Sequence, residues 1–135
     1  MNRSDFQRLA RTRLQEARVL LSAGYFKGSY YLGGYAIECA LKACIAKNIV
    51  AEEIPDRNLW DKVYTHNLDN LLKLAGLDSG PPLAGDPDLD LNWATVRDWS
   101  EQARYDGRNE TEATELIGAI DDTPHGVLTW LQQHW

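Results

Sequence analysis

The chain reads as all-α, an up-and-down bundle of four to five helices forming one domain over residues 1–135. Two observations predict this class. Apolar residues recur at helical spacing in several separate stretches, and no stretch alternates with period two for long enough to make a convincing strand. The stretch Tyr25–Asn48, YFKGSYYLGGYAIECALKACIAKN, is also apolar or small on every side once wound at 3.6 residues per turn. A helix that is apolar all round is a central, buried one.

Ser4 and Gln7 read as a capping box, after which Phe6, Leu9, Ala10, Leu14, Ala17, Leu20 and Leu21 keep helical spacing as far as Gly24. The tight stretch at Gly24 turns this first helix back against the central one as an antiparallel hairpin. Ala51–Tyr64 reads as a polar loop punctuated by Pro55 and anchored by Trp60. Thr65 is a candidate N-cap for a short third helix through Leu68, Leu71, Leu72 and Ala75, closed by Gly76. His66 then falls in the first turn, where the helix dipole disfavours an imidazolium and a neutral ring is expected.

Asp78–Asp90 is a Gly-, Pro- and Asp-rich internal loop. A fourth helix runs from Asp90 through Trp93, Val96, Trp99 and Ala103, ending in Ala103-Arg104-Tyr105-Asp106-Gly107. Thr111 reads as the cap of the last helical region, whose inner face is Ala113, Leu116, Ile117 and Ile120. Pro124 interrupts it. Because Val127, Leu128 and Leu131 keep the register, two readings stand side by side. One is a kinked fifth helix; the other is a new helix with Thr123 as N-cap and Pro124 as first residue.

An apolar content of 44% with five Trp excludes a disordered chain. No signal peptide is visible at the N-terminus, and the one long apolar run carries Glu38 and Lys42 mid-run, so no membrane span is expected. Cys39 and Cys44 point to different sides of one helix, which suits neither a disulfide nor a metal site; a reducing cytoplasm fits. The net charge of −6 is uneven. Residues 1–50 hold eight Lys/Arg against three Asp/Glu, a surplus of five positive; residues 51–135 hold six against seventeen, a surplus of eleven negative. Bulk-charge nucleic-acid binding is therefore not expected, although Arg8, Arg11 and Arg18, with Arg3 and Lys27 near the ends, form a stripe that could meet phosphates or an acidic partner surface.

No phosphate-binding glycine loop is present, because Gly33-Gly34 lies inside a helix, and His66, His125 and His134 show no metal-type spacing. No metal and no cofactor is expected. What remains is a polar set in apolar helical surroundings: Glu38, Lys42, His66, Arg104, Tyr105 and Arg108. Glu38 and Lys42 stand i,i+4 with the acid first, the favourable order for a helical ion pair. A buried pair of this kind is a structural lock or part of a polar site between helices.

On these residues the chain resembles the HEPN (higher eukaryotes and prokaryotes nucleotide-binding) domain. The resemblance is carried by the turn at Leu20, Leu21, Gly24 and Phe26, by the helix GGYAIECALKA (Gly33 to Ala43), by His66 and Leu68, and by Arg104-Tyr105, and it extends from about Asp5 to Ile120. It implies a dimeric helical bundle, often encoded beside a minimal nucleotidyltransferase as a toxin–antitoxin or defence pair. It also implies nucleotide binding and, in many members, metal-independent RNA cleavage. The ribonuclease members carry an Arg followed after four to six residues by His, and that pair is missing here: Arg57 precedes His66 by nine, and Arg104 and Arg108 stand farther still from His125. The expectation is a binding protein rather than an enzyme, with Glu38, Lys42, Arg104, Tyr105 and Arg108 around a nucleotide or RNA phosphate. The alternative is a ribonuclease with a non-standard His66–Arg104 site. Trp93, Trp99, Trp130 and Trp135 add an expectation of a homodimer, as more aromatic surface than a small bundle hides.

Overall fold

The computed structural model describes residues 1–49, 54, 57–78, 85–105 and 107–135, except the side chains of Arg57, Trp60 and Arg104. The described residues form helices only: α1 (Arg3–Ala23), α2 (Phe26–Lys47), α3 (Arg57–Val63), α4 (Leu68–Leu74), α5 (Pro87–Arg97), a 3-10 turn (Glu101–Arg104), α6 (Glu110–Asp121) and α7 (Val127–Leu131). Four of these have eleven or more residues, and the others are short connectors.

Helix α2 is the axis, packed against α1, α4, α6, α7 and the 3-10 turn. Its buried positions run from Ser29 to Ile45 and fall on nearly every side. Each large aliphatic side chain buried there contributes about 1.5–3 kcal/mol. Gly24, at φ +86°, closes α1 in the left-handed conformation that favours glycine, donating its N–H to the Leu20 and Leu21 carbonyls. The chain then returns antiparallel. The fully buried Ser29 hydroxyl donates to the Ala17 carbonyl at 2.7 Å, so this core polar group is satisfied. Gly33 and Gly34 allow close approach from the far side of α2. A Cβ on Gly33 would lie 2.7 Å from Ile117 Cδ1, and one on Gly34 about 2.2 Å from the Trp99 indole.

Several local expectations are corrected. The capping box of α1 is Asn2 with Asp5, two residues earlier than Ser4 with Gln7. The expected 51–64 loop contains α3; Pro55, residues 50–53 and the Trp60 side chain lie outside the described residues. Asn67, not Thr65, caps α4, while the Thr65 hydroxyl accepts from the Asn67 N–H. Helix α5 starts at Pro87 inside the expected loop, because Asp86 accepts from the Asp88 and Leu89 N–H groups and proline sits well at a first helical position. It ends at Arg97, so Trp99 and Ala103 belong to a separate segment rather than to one continuous helix. Asn109, with Glu112, caps α6 in place of Thr111. Pro124 separates α6 from α7 as in the second reading above, but Gly126 is the N-cap and Val127 the first helical residue. Asp106 and residues 79–84 lie outside the described residues.

The aromatic argument for a dimer fails. Trp93, Trp99, Trp130 and Trp135 are all buried within one chain. The basic stripe is also largely used internally. Arg18 pairs with Asp121 through two hydrogen bonds, Arg8 pairs with Asp5, Arg3 donates to the Trp135 main-chain oxygen, and Arg11 lies over the Trp135 ring. No helix among the described residues is long and apolar enough to cross a membrane.

Candidate functional site: a carboxylate–imidazole–carboxylate chain on the central helix

Glu38 is 2% exposed, and both its oxygens have partners. Lys42 Nζ donates to Oε2 at 3.3 Å from one turn along α2. His66 Nδ1 stands 2.7 Å from Oε1. The other ring nitrogen, Nε2, stands 2.8 Å from Glu101 Oε2, at the start of the 3-10 turn. The result is a chain of alternating basic and acidic side chains, Lys42–Glu38–His66–Glu101. It leads from the interior of α2 to a half-exposed imidazole (46%) and a half-exposed carboxylate (35%). Both ring nitrogens face carboxylate oxygens, and only the imidazolium can donate from both at once.

Local folding explains the convergence. Buried Leu68, Leu71 and Leu72 fix α4 on the core, and Asn67 caps it, so His66 is held just before the cap with its ring over α2. The expectation placed His66 in the first turn of α4; it lies one residue before the Asn67 cap, outside the helix. Trp99 seats on Gly34, and Glu38 follows Gly34 by four residues on the same face of α2. The segment that Trp99 anchors therefore brings Glu101 back to the imidazole. An ion pair from Arg97 to Asp69 at 2.7 Å and a hydrogen bond from Asn48 to the Ala75 carbonyl tie the same elements together.

Beside this chain α2 opens an aromatic edge. Tyr31 and Tyr35 stack at 6.2 Å and 11°, and Tyr31 stacks on Trp99 at 6.1 Å. Burial, with Cys39 and Glu38 nearby, raises the Tyr35 phenol above its usual range. Burial also pushes the Cys39 thiol up to about 11, with Glu38 adding to the shift, and burial does the same for Cys44. Both cysteines are free thiols inside the bundle rather than reactive ones.

Of the residues singled out from sequence, Glu38, Lys42 and His66 meet. Arg104 ends the 3-10 turn that Glu101 begins, so its backbone is one turn from the network; its side chain lies outside the described residues. Tyr105 follows and is 65% exposed. Arg108 lies over the Tyr30 ring at 4.5 Å and pairs with Glu112 at 2.9 Å. Glu101 was missed. As one acid among twenty it carries no sequence signal, and only its place just after a buried tryptophan could have drawn attention to it.

Two other features are chemically notable. His125, on the α6–α7 connection, has Nδ1 2.6 Å from Asp86 and Nε2 3.6 Å from Asp88. Hydrogen bonding to Asp86 raises the imidazole above its ordinary value and lowers Asp86 in turn. These three residues are close enough to hold a cation, a grouping made by the fold and invisible in the histidine spacing. Yet their atoms already serve one another and the cap of α5, so the group is complete without one. Between α3 and α4 an open cleft of about 600 Å³ is rimmed by Lys62, Tyr64, Asn70 and Lys73.

No curated protein and no solved structure matches the chain. The profile described as HEPN domain matches residues 4–131. The chain therefore belongs to the HEPN family, a membership that supports a nucleotide- or RNA-related role in general terms.

Proposed function

We propose that this HEPN protein is a cytoplasmic, homodimeric nucleotide- or RNA-binding module that works beside a minimal nucleotidyltransferase in a toxin–antitoxin or defence pair. The observation that carries the binding reading is the Lys42–Glu38–His66–Glu101 chain, a polar path from the surface to the axis of an otherwise apolar bundle. Glu38 and Lys42 are too enclosed to touch a ligand, at 2% and 12% exposure, so their role is to brace His66 from behind. Contact then falls to the outer layer: Arg104 for a phosphate, Tyr105 for stacking, and Arg108. Titration calorimetry with ATP and with a short single-stranded RNA tests this. Heat from the wild type and its loss in Arg104→Ala is the expected result; no heat from either protein contradicts it. The dimer rests on family resemblance alone, and light scattering that gives a monomer mass at micromolar concentration removes it. A neighbouring reading frame that encodes no nucleotidyltransferase, or one whose product forms no complex by size exclusion, removes the pairing.

A second reading, metal-independent RNA cleavage, has one observation in its favour. His66 is a half-exposed imidazole backed by a buried carboxylate, an arrangement that suits general acid–base work. Against it stands the missing Arg–His spacing. RNA degradation by wild type and His66→Ala separates the readings: equal rates, or none in either, leave binding alone.

A further inference from the structure

The two sides of the His66 ring are held very differently. Nδ1 is fixed from the interior by Glu38, itself locked by Lys42 and the walls of α2. Nε2 faces outward, and what holds it is a carboxylate on a four-residue 3-10 turn. That turn is preceded by Ser100, whose backbone is extended and whose side chain makes no capping bond. A half-exposed ion pair of this kind is a weak tether, because water competes for both ends and each long side chain must be ordered to make it. The Glu101 oxygen at 2.8 Å also has the chemistry of a different occupant. To an outward-facing imidazole N–H, a carboxylate oxygen and a phosphate oxygen are the same kind of anionic acceptor.

We infer that His66 Nε2 is an anion subsite for a phosphate oxygen of the ligand, closed in the unliganded protein by Glu101, which the ligand displaces. This deepens the binding reading proposed above and rests on it. Three features of the surroundings fit. The ring needs no rearrangement to receive the ligand, because Glu38 fixes its orientation. The Tyr31–Tyr35 edge offers π surface next to the subsite. Arg104 closes the 3-10 turn that Glu101 opens, so its backbone lies on the same short segment as the displaced carboxylate. Displacement also sets selectivity. A neutral ligand gains nothing by expelling the carboxylate, whereas an anion replaces it.

The test is affinity for ATP and for a single-stranded RNA hexanucleotide in wild type, Glu101→Gln, Glu101→Lys and the double variant Glu101→Gln/His66→Ala, each with a thermal melt to establish folding. Glu101→Gln keeps the shape and removes the competing charge. It is expected to tighten binding about tenfold, the recovery due when the open form is about a tenth of the wild-type population. Glu101→Lys is expected to tighten it at least as much, and the double variant to lose the gain. Tightening with ATP alone assigns the subsite to a terminal phosphate; tightening with both assigns it to phosphodiester as well. A folded Glu101→Gln and Glu101→Lys that bind no tighter than a binding-competent wild type overturn the inference and leave the binding reading standing. No binding of either probe by any of the four proteins overturns both.

Discussion

Two histidines in this protein each stand between two carboxylates, and the two clusters have different foundations. His66 is reached on one side by Glu38, 2% exposed on the central helix, and on the other by Glu101. His125 is reached by Asp86 and Asp88, whose side chains are 30% and 69% exposed, and every member sits on the surface. The second cluster is a clasp between the start of α5 and the α6–α7 connection, reinforced by Asn92 donating to the His125 carbonyl at 2.9 Å. Water can stand in for any of its contacts. The first cannot be dissolved in the same way, because the Glu38 carboxylate has no access to solvent and depends on Lys42 and His66 for its partners. The same arrangement, an imidazole between two carboxylates, therefore makes a surface fastening in one place and a core-rooted site in the other; burial of Glu38, with Lys42 behind it, is the difference.

That contrast can be broken most forcefully at Glu38. Glu38→Ala leaves Lys42 without its partner in a nearly closed environment and frees the imidazole, and should cost about 3–5 kcal/mol in urea unfolding. A loss below about 1 kcal/mol would put Glu38 in the same class as the surface acids. Next in size is Gly34→Ala. The added methyl meets the Trp99 ring, so the segment carrying Glu101 must move; the expected loss is about 1–3 kcal/mol, despite the gain of up to about 1 kcal/mol that alanine brings to a helix interior. Unchanged stability would mean that Trp99 does not set the position of Glu101.

Double-mutant cycles sharpen the comparison directly. Glu38 with His66 should show a coupling of about 1 kcal/mol or more, and Asp86 with His125 a smaller one. Equal couplings would erase the distinction. The smallest effect is a pH dependence at the clasp. Asp86 holds His125 above the ordinary imidazole value of about 6.5, so the stabilisation is complete below that value and is lost as pH rises through the raised one. Asp86, lowered in the folded state, contributes above the ordinary aspartate value of about 3.9 and loses its contribution as pH falls through the lowered one. The difference in Tm between wild type and His125→Ala should therefore peak between about pH 4 and 6.5. A difference that grows above pH 8 would contradict it.

The sequence carried much of this unevenly. Helix α2 was legible because its apolar character runs all the way round, and so was the Glu38–Lys42 pair, because i,i+4 spacing is a local property. His66 stood out against the leucines that follow it. Element ends were less legible. Asn2 and Ser4, Asn67 and Thr65, and Asn109 and Thr111 are competing caps two residues apart, and the choice depends on how each helix packs, which no local rule sees. The separation of Trp99 from α5 was hidden for the same reason: its spacing from Val96 suits a helix, but its seat is the bare backbone at Gly34. Glu101 was hidden because a charge acquires its role here from a partner thirty-five residues earlier in the chain. The exposed-aromatic argument failed because tryptophan content was counted without the depth of the bundle that holds it.

The most direct test of the core-rooted site is nitrogen NMR of the two imidazoles during titration with ATP. Displacement of Glu101 by a phosphate oxygen predicts that the His66 Nε2 resonance moves with ligand occupancy while both His125 nitrogens stay in place. Binding of ATP with His66 unmoved, or equal movement of the two rings, would contradict it.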